Sequence, residues 1–228
     1  MTADLTPRRL AGEAIGTALL VTAVIGSGIM AQRLTGDRAV ALLANTVATG
    51  GALVAILLIF GPISGAHLNP AVTLSMVALK QQTSRSAVGY IAAQIAGGIT
   101  GAILANTMFE LSPITWSMTT RTGVAKLLSE SVATFGLMGV VIAVGRTRAQ
   151  ATPFAVAAYI VAAYWFTAST SFANPAVTIA RAFSDTFAGI RPVDVGGFLV
   201  AQAVGASLGA WVFSWLVPIH GSPALSAD

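Results

Sequence analysis

Cysteine is absent from the 228 residues, so no disulfide staples this chain and no thiolate can hold a metal. Histidine occurs only at positions 67 and 220, too far apart for a His-rich metal site. Charge is scarce as well: 9% of residues are Asp, Glu, Lys or Arg, where a soluble domain carries about 25%. So few charges cannot cover a water-facing surface, and 55% of the chain is hydrophobic. The apolar runs are long and continuous, whereas a membrane barrel alternates in segments of about ten residues. This excludes a barrel and leaves an all-α membrane protein, a multi-pass chain whose first partner is the lipid bilayer. The net charge of +4 does not imply a nucleic-acid partner. Arg8, Arg9, Lys80, Arg85, Arg146 and Arg148 sit at the ends of apolar runs, where membrane anchors belong, and no basic patch is interleaved with aromatics. There is also no nucleophile–base pair, so neither an enzyme nor a cofactor is expected.

Charges divide the remainder into segments. Leu10–Ala31 holds only Glu13, Ser86–Phe109 is clean, Leu127–Gly145 holds only Glu130, and Val195–Ile219 is clean. Each suits one crossing of about 20 residues. The first, at 22 residues, exceeds the apolar core of a signal peptide and is closed by no Ala-x-Ala site, so it reads as a retained span. Ala39–Leu79, uncharged over 41 residues, is too long for one span, and Ala149–Ala180 is awkwardly long for one. Both carry the pentapeptide Asn-Pro-Ala-Val-Thr near their C-terminal end, at 69–73 and 174–178. The spacing predicts a full span, a loop and a half-helix in each, Asn69 to Lys80 and Asn174 to Asp185. Eleven residues rise roughly 16 Å, about half a bilayer.

The rest of the chain repeats too. "AQIAGGITGA" at 93–102 matches "AQAVGASLGA" at 201–210, and Glu13 in the first span is mirrored by Glu130 in the fourth. Three spans per half is an odd number, so the second half enters from the opposite side. The expected architecture is a single domain over 1–228: six transmembrane helices plus two re-entrant half-helices in an inverted repeat, with halves at about 8–112 and 123–217. In such repeats the functional site lies at the midplane between the halves. Basic residues number six on each side, so they do not choose an orientation.

Asn is a favoured N-cap and Pro a favoured first helical residue. A capping Asn offers its carbonyl oxygen to the helix and keeps its amide NH₂ free. Two such ends facing each other bring the Asn69 and Asn174 donors to one lumen, backed by two positive helix ends. A neutral solute with an oxygen lone pair is welcome there, and a cation is not. Irregular backbone before each motif survives at this depth only by lining a cavity.

With "SGAHLNPAVT", the second Asn-Pro-Ala, "GEAIGT", "SESVATFGL" and the two Gln-x-x-Gly repeats, the chain resembles the aquaporin (major intrinsic protein) family over roughly residues 8–217. The resemblance implies pore motifs at Asn69, Pro70, Ala71 and at Asn174, Pro175, Ala176. It also implies cytoplasmic termini in a cell membrane, a bacterial inner membrane here, and a homotetramer with one pore per subunit. The family's selectivity filter falls, by counting from the motifs, on Thr49, Ala162, Ser171 and Val177. Val177 stands where the family normally has Arg. Three small residues and a Val imply a wide, nearly uncharged filter, in the manner of aquaglyceroporin-like bacterial channels associated with arsenical resistance. The expected function is a passive channel for small neutral solutes larger than water: glycerol-like polyols, metalloid or arsenical hydroxides, and methylated arsenicals.

Arg181 lies one turn beyond Val177 on the same helix face, where it is expected to stay hydrated in an outer vestibule. Glu13 and Glu130 are the only acids inside spans. They read as supports for the two re-entrant loops, with a proton relay as the competing role. His67 reads as shaping its loop. The pairs Gly12/Gly16, Gly97/Gly101 and Gly205/Gly209 read as helix-contact faces, within or between subunits. The alternative function is an ion-coupled secondary transporter, which also uses inverted repeats and broken helices, and whose only candidate ion carriers are the same two glutamates.

Overall fold

The computed structural model describes residues 6–218, so Ile219 and His220 lie outside the described residues. Among these every regular element is helical, and six helices are long and apolar enough to cross a membrane. The first half comprises α1 (Pro7–Leu34), α2 (Arg38–Ser64), the short α3 (Pro70–Ala78) and α4 (Ser84–Met108). The second comprises α5 (Val124–Thr147), α6 (Thr152–Phe166), the short α7 (Pro175–Ala180) and α8 (Pro192–Leu216). The starts follow the expected chemistry. Thr6 caps α1 ahead of Pro7, and the Asp37 carboxylate accepts from the amides of Ala39 and Val40 at 2.7 and 3.1 Å. Gly65 ends α2 with φ 89°, a left-handed stop that other residues resist.

The two short helices are not equal. α3 runs nine residues, while α7 runs six and tightens into a 3₁₀ turn at Arg181–Phe183. Equal lengths were expected from the sequence. The second is cut short because its exit is tied sideways. Asn106 of α4 donates to the Phe183 carbonyl at 3.0 Å and accepts from the Ser184 hydroxyl at 2.7 Å. The inner part of α5 also departs from α-helix, widening into a π-helical turn at Val140–Val144.

The glycine pairs settle how the halves are built. A Cβ on Gly97 would sit 2.1 Å from the Ala14 carbonyl oxygen, and one on Gly101 would sit 2.3 Å from that of Ala18. In the second half, Gly205 and Gly209 face the carbonyls of Ser131 and Phe135 at 2.2 and 2.7 Å. The backbones of α1 and α4, and of α5 and α8, therefore touch within one subunit. Gly12 and Gly16 instead make room for the end of α2 and the loop after it: a Cβ on Gly12 would lie 3.3 Å from Ile63 Cγ2, and one on Gly16 2.6 Å from Leu68 Cδ2. Side chains such as Leu43, Val47, Trp211 and Trp215 remain exposed on the outside, where lipid replaces water.

Gly97→Ala is expected to destabilise the fold by about 1–3 kcal/mol through overpacking against rigid backbone. Gly51, with nothing within 4 Å of a built Cβ, is the control, and Gly51→Ala should leave stability equal or higher. Thermal melts in detergent check this; equal melting temperatures for the two variants would contradict the packing.

Candidate functional site

The site begins with two loops that break helical geometry in the same way. Ala66 and Leu68 before Asn69 have φ of 46° and 50°, and Ser171 and Ala173 before Asn174 have φ of 48° at both. Gly65 and Thr170 precede them, also left-handed, at 89° and 63°. Residues with a Cβ resist this region by roughly 1–2 kcal/mol each. Something must hold them there.

In each half it is a buried carboxylate. Glu13 accepts from the amides of His67 at 3.0 Å and Leu68 at 2.7 Å, and from the Ser64 hydroxyl at 2.6 Å. Glu130 accepts from the amides of Phe172 at 2.8 Å and Ala173 at 2.9 Å. A glutamine fixes each acid from the far side. Gln94 bridges Glu13 and the Thr73 hydroxyl at 2.7 and 3.0 Å, and Gln202 bridges Glu130 and Thr178 at 2.7 and 2.8 Å. His67 points its ring nitrogen Nδ1 at the Thr73 hydroxyl, 3.1 Å away. The two Gln–Thr braces were not read from the sequence, although the Gln stands at the same place in both repeats.

The two Asn residues then meet. Each caps its own helix: Asn69 Oδ1 accepts from Ala71 at 2.9 Å, and Asn174 Oδ1 accepts from Ala176 and Val177 at 3.0 and 3.2 Å. Their amides are not wholly free, as the sequence suggested. Asn69 donates to the Ala173 carbonyl at 2.8 Å, and Asn174 donates to the Leu68 carbonyl at 2.7 Å. One hydrogen of each NH₂ closes a crossed bond between the halves, leaving the other for the lumen.

A cavity of about 360 Å³ runs past both Asn residues. Pro70, Ala71, Pro175 and Ala176 carry the helix starts behind them. Much of its lining is apolar, with Leu53, Val72, Leu137, Val156 and Ile160. Towards the end near Thr49 it also meets Tyr164, Ser171, Val177 and Arg181. The hydroxyls of Thr49 and Tyr164 lie 3.4 Å apart, and that of Ser171 is buried with no hydrogen-bond partner.

Two sequence expectations are corrected here. Ala162 is not on the cavity: it faces outward and is exposed. The inward residue is Tyr164, two positions on, about 200° further round the helix. The stretch from this wall to Asn174 is two residues shorter than the counting assumed. Arg181 does not reach freely into water as expected, although it borders a second cavity shared with Arg38 and Arg121. It is 2% exposed, its Nε donates to the Ala188 carbonyl, and its guanidinium carbon stacks 3.4 Å from the centre of the Phe172 ring. A helical side chain leans back over the preceding turn, which carries this one inward instead of out to water.

Arg121, in the connection between the halves, gave no signal in the sequence. It is 9% exposed and binds the carbonyls of Gly189, Ser169 and Phe187 at 2.7, 3.1 and 3.2 Å. Burial lowers its pKa to about 10, so it remains charged at neutral pH. It stacks on Phe172 as well, 4.7 Å from the ring centre.

Residues 2–164 match the family described as Major intrinsic protein. The chain belongs to that family. It is 54% identical over 214 residues to Aquaglyceroporin AqpS of Rhizobium meliloti (strain 1021), covering 94% of this chain and 91% of the relative. It is 30% identical to Aquaporin NIP6-1 of Arabidopsis thaliana over 91% of this chain and 68% of that one. Its fold matches the X-ray structure of the aquaglyceroporin from Plasmodium falciparum with a TM-score of 0.68 at 21% identity, over 92% of this chain and 94% of that one. This major intrinsic protein is a multi-pass membrane protein, a passive channel for small solutes and not an enzyme.

Glu130→Gln should cost about 2–3 kcal/mol, because an amide in that place offers one oxygen where two backbone N–H groups converge. The expected readout is a lower monodisperse yield and a lower melting temperature. Unchanged stability with an altered pH dependence of flux would instead make Glu130 a proton relay.

Proposed function

We propose that this chain conducts small uncharged polyols and metalloid hydroxides, arsenicals among them, across a bacterial inner membrane, one pore per subunit of a homotetramer. The observation that carries the reading is a lumen lined by both apolar and polar groups. Branched apolar side chains make up much of it, and the two Asn side chains and the loop backbone stand among them. A polyol carries the same two kinds of group, C–H and hydroxyl. Water gains nothing from the apolar groups, whereas a glycerol-like solute exchanges its hydration for contacts with both kinds. The name of Aquaglyceroporin AqpS, 54% identical to this chain, supports the solute class.

In this reading the filter comprises Thr49, Tyr164, Ser171 and Val177. The uncharged Val177 leaves the bore open at the place where the family normally has Arg, and Tyr164 supplies an aromatic face against which a carbon backbone can slide. Coupled transport finds no ion carrier, because Glu13 and Glu130 are both occupied in holding the loops.

Stopped-flow light scattering on proteoliposomes tests the function. Glycerol permeability should exceed that of protein-free vesicles by about tenfold or more, rise linearly with the gradient and ignore an uncoupler. Saturating, uncoupler-sensitive flux would establish coupled transport instead. Val177→Arg should reduce glycerol and arsenous acid flux by about tenfold while lowering water flux by less. Equal loss of all three at unchanged expression would remove Val177 from the filter.

A further inference from the structure

We infer that Arg181 is the cation-excluding residue of this pore, a filter guanidinium carried one helical turn further from the second Asn-Pro-Ala than the Val177 position. The inference rests on the cavity being the permeation path, as proposed above.

Three observations lead to it. First, Arg181 borders two spaces. It lines the 360 Å³ lumen together with Thr49, Tyr164 and Val177, and it also lines a cavity of about 500 Å³ that includes Arg38, Arg121, Asn45 and Asp37, whose carboxylate caps α2. No other charged side chain lines both. A solute passing from one space to the other goes by this guanidinium.

Second, the charge is buried without an acid. Among the described residues the only ion pair is Arg191 with Asp194. Arg181 is 2% exposed, and it donates from Nε alone, to the Ala188 carbonyl. The two terminal nitrogens find no acceptor in the described protein. A buried, unpaired cation is costly to retain. Oxygen atoms in the lumen are the acceptors that the fold does not supply, and a passing hydroxyl can provide them.

Third, the guanidinium is held in one orientation. It stacks on Phe172, whose ring packs edge-on against Phe198 with centroids 5.2 Å apart, and whose backbone amide is fixed by Glu130. Arg121 lies over the same ring. With its plane set by the stack and Nε tied to Ala188, Arg181 presents a planar pair of NH₂ groups to the lumen. Thr49 and Tyr164, whose hydroxyls lie 3.4 Å apart, line the same lumen. Together they make a polar station that favours oxygen-rich neutral solutes and repels cations, while the Val177 position stays uncharged and wide.

The test uses purified protein in vesicles. Glycerol entry is followed by light scattering, proton entry by an internal pH-sensitive dye under a potassium–valinomycin potential, and sodium entry by tracer. Wild type should pass glycerol and hold both cations out. Arg181→Met should raise proton or sodium leak about tenfold or more while glycerol flux remains within about threefold. In the double variant Arg181→Met/Val177→Arg the leak should return to the wild-type level, with glycerol flux reduced. A wild type that passes no glycerol defeats the polyol-channel reading. A wild type that passes glycerol, with Arg181→Met as cation-tight as wild type, overturns the role of Arg181 alone.

If Arg181→Met does not yield folded protein, Arg181→Gln decides. It keeps a polar side chain but removes the charge, so proton or sodium leak should rise about tenfold or more. A folded Arg181→Gln as cation-tight as wild type overturns the proposal.

Discussion

The structure depends on carboxylates that accept backbone N–H groups in the middle of a membrane. Without Glu13 and Glu130, the loops ahead of the two short helices would carry left-handed residues and unpaired amides at a depth where no lipid can satisfy them. With them, each acid is satisfied by the loop it holds, and each loop acquires a fixed curvature. That curvature decides where Asn69 and Asn174 stand. The acids are thus structural in a way that is unusual for membrane carboxylates, whose burial otherwise needs a cation or a proton. Here the positive partner is a pair of peptide dipoles supplemented by a glutamine amide.

The crossed bonds of the Asn pair follow from this geometry. Each side chain serves its own helix with its oxygen, reaches the opposite loop with one hydrogen, and keeps one hydrogen for whatever passes. The same groups are therefore cap, fastener and solute contact at once. The second half adds a layer that the first lacks. Phe172 occupies the place that His67 holds in the first loop, and two guanidinium groups lie over its ring. The symmetry of the backbone does not extend to the side chains around it.

Much of this was legible in the sequence. The charge-free runs gave the number of spans, the repeated pentapeptide gave two half-helices, and the mirrored glutamates gave the loop supports their positions. Several features escaped, three of them for a plain physical reason. Ala162 was placed by counting across a loop, and loop length is the quantity that periodicity does not encode, so the inward face belongs to Tyr164 instead. Arg181 was assigned to water because a charge near a helix end usually reaches solvent, but the chain after it offers the Ala188 carbonyl and the loop before Asn174 offers the Phe172 ring. Arg121 sits in a polar connection with no pattern of its own. Its importance comes from three carbonyls contributed by segments roughly 50 to 70 residues away in sequence, and a linear reading cannot bring them together.

The pairing of Asn69 with the Ala173 carbonyl and of Asn174 with the Leu68 carbonyl also bears on the kinetics of transport. Inverted repeats in other membrane proteins rock against each other to expose a site alternately to the two sides. Here both bonds cross the seam between the repeats at its centre, and rocking would have to break them together inside hydrocarbon. The seam is riveted. The same ancestral symmetry that elsewhere makes a machine with a cycle makes here a tube without one. Its throughput is then set by friction along the bore and not by a conformational turnover, and its temperature dependence should resemble that of diffusion through a narrow liquid.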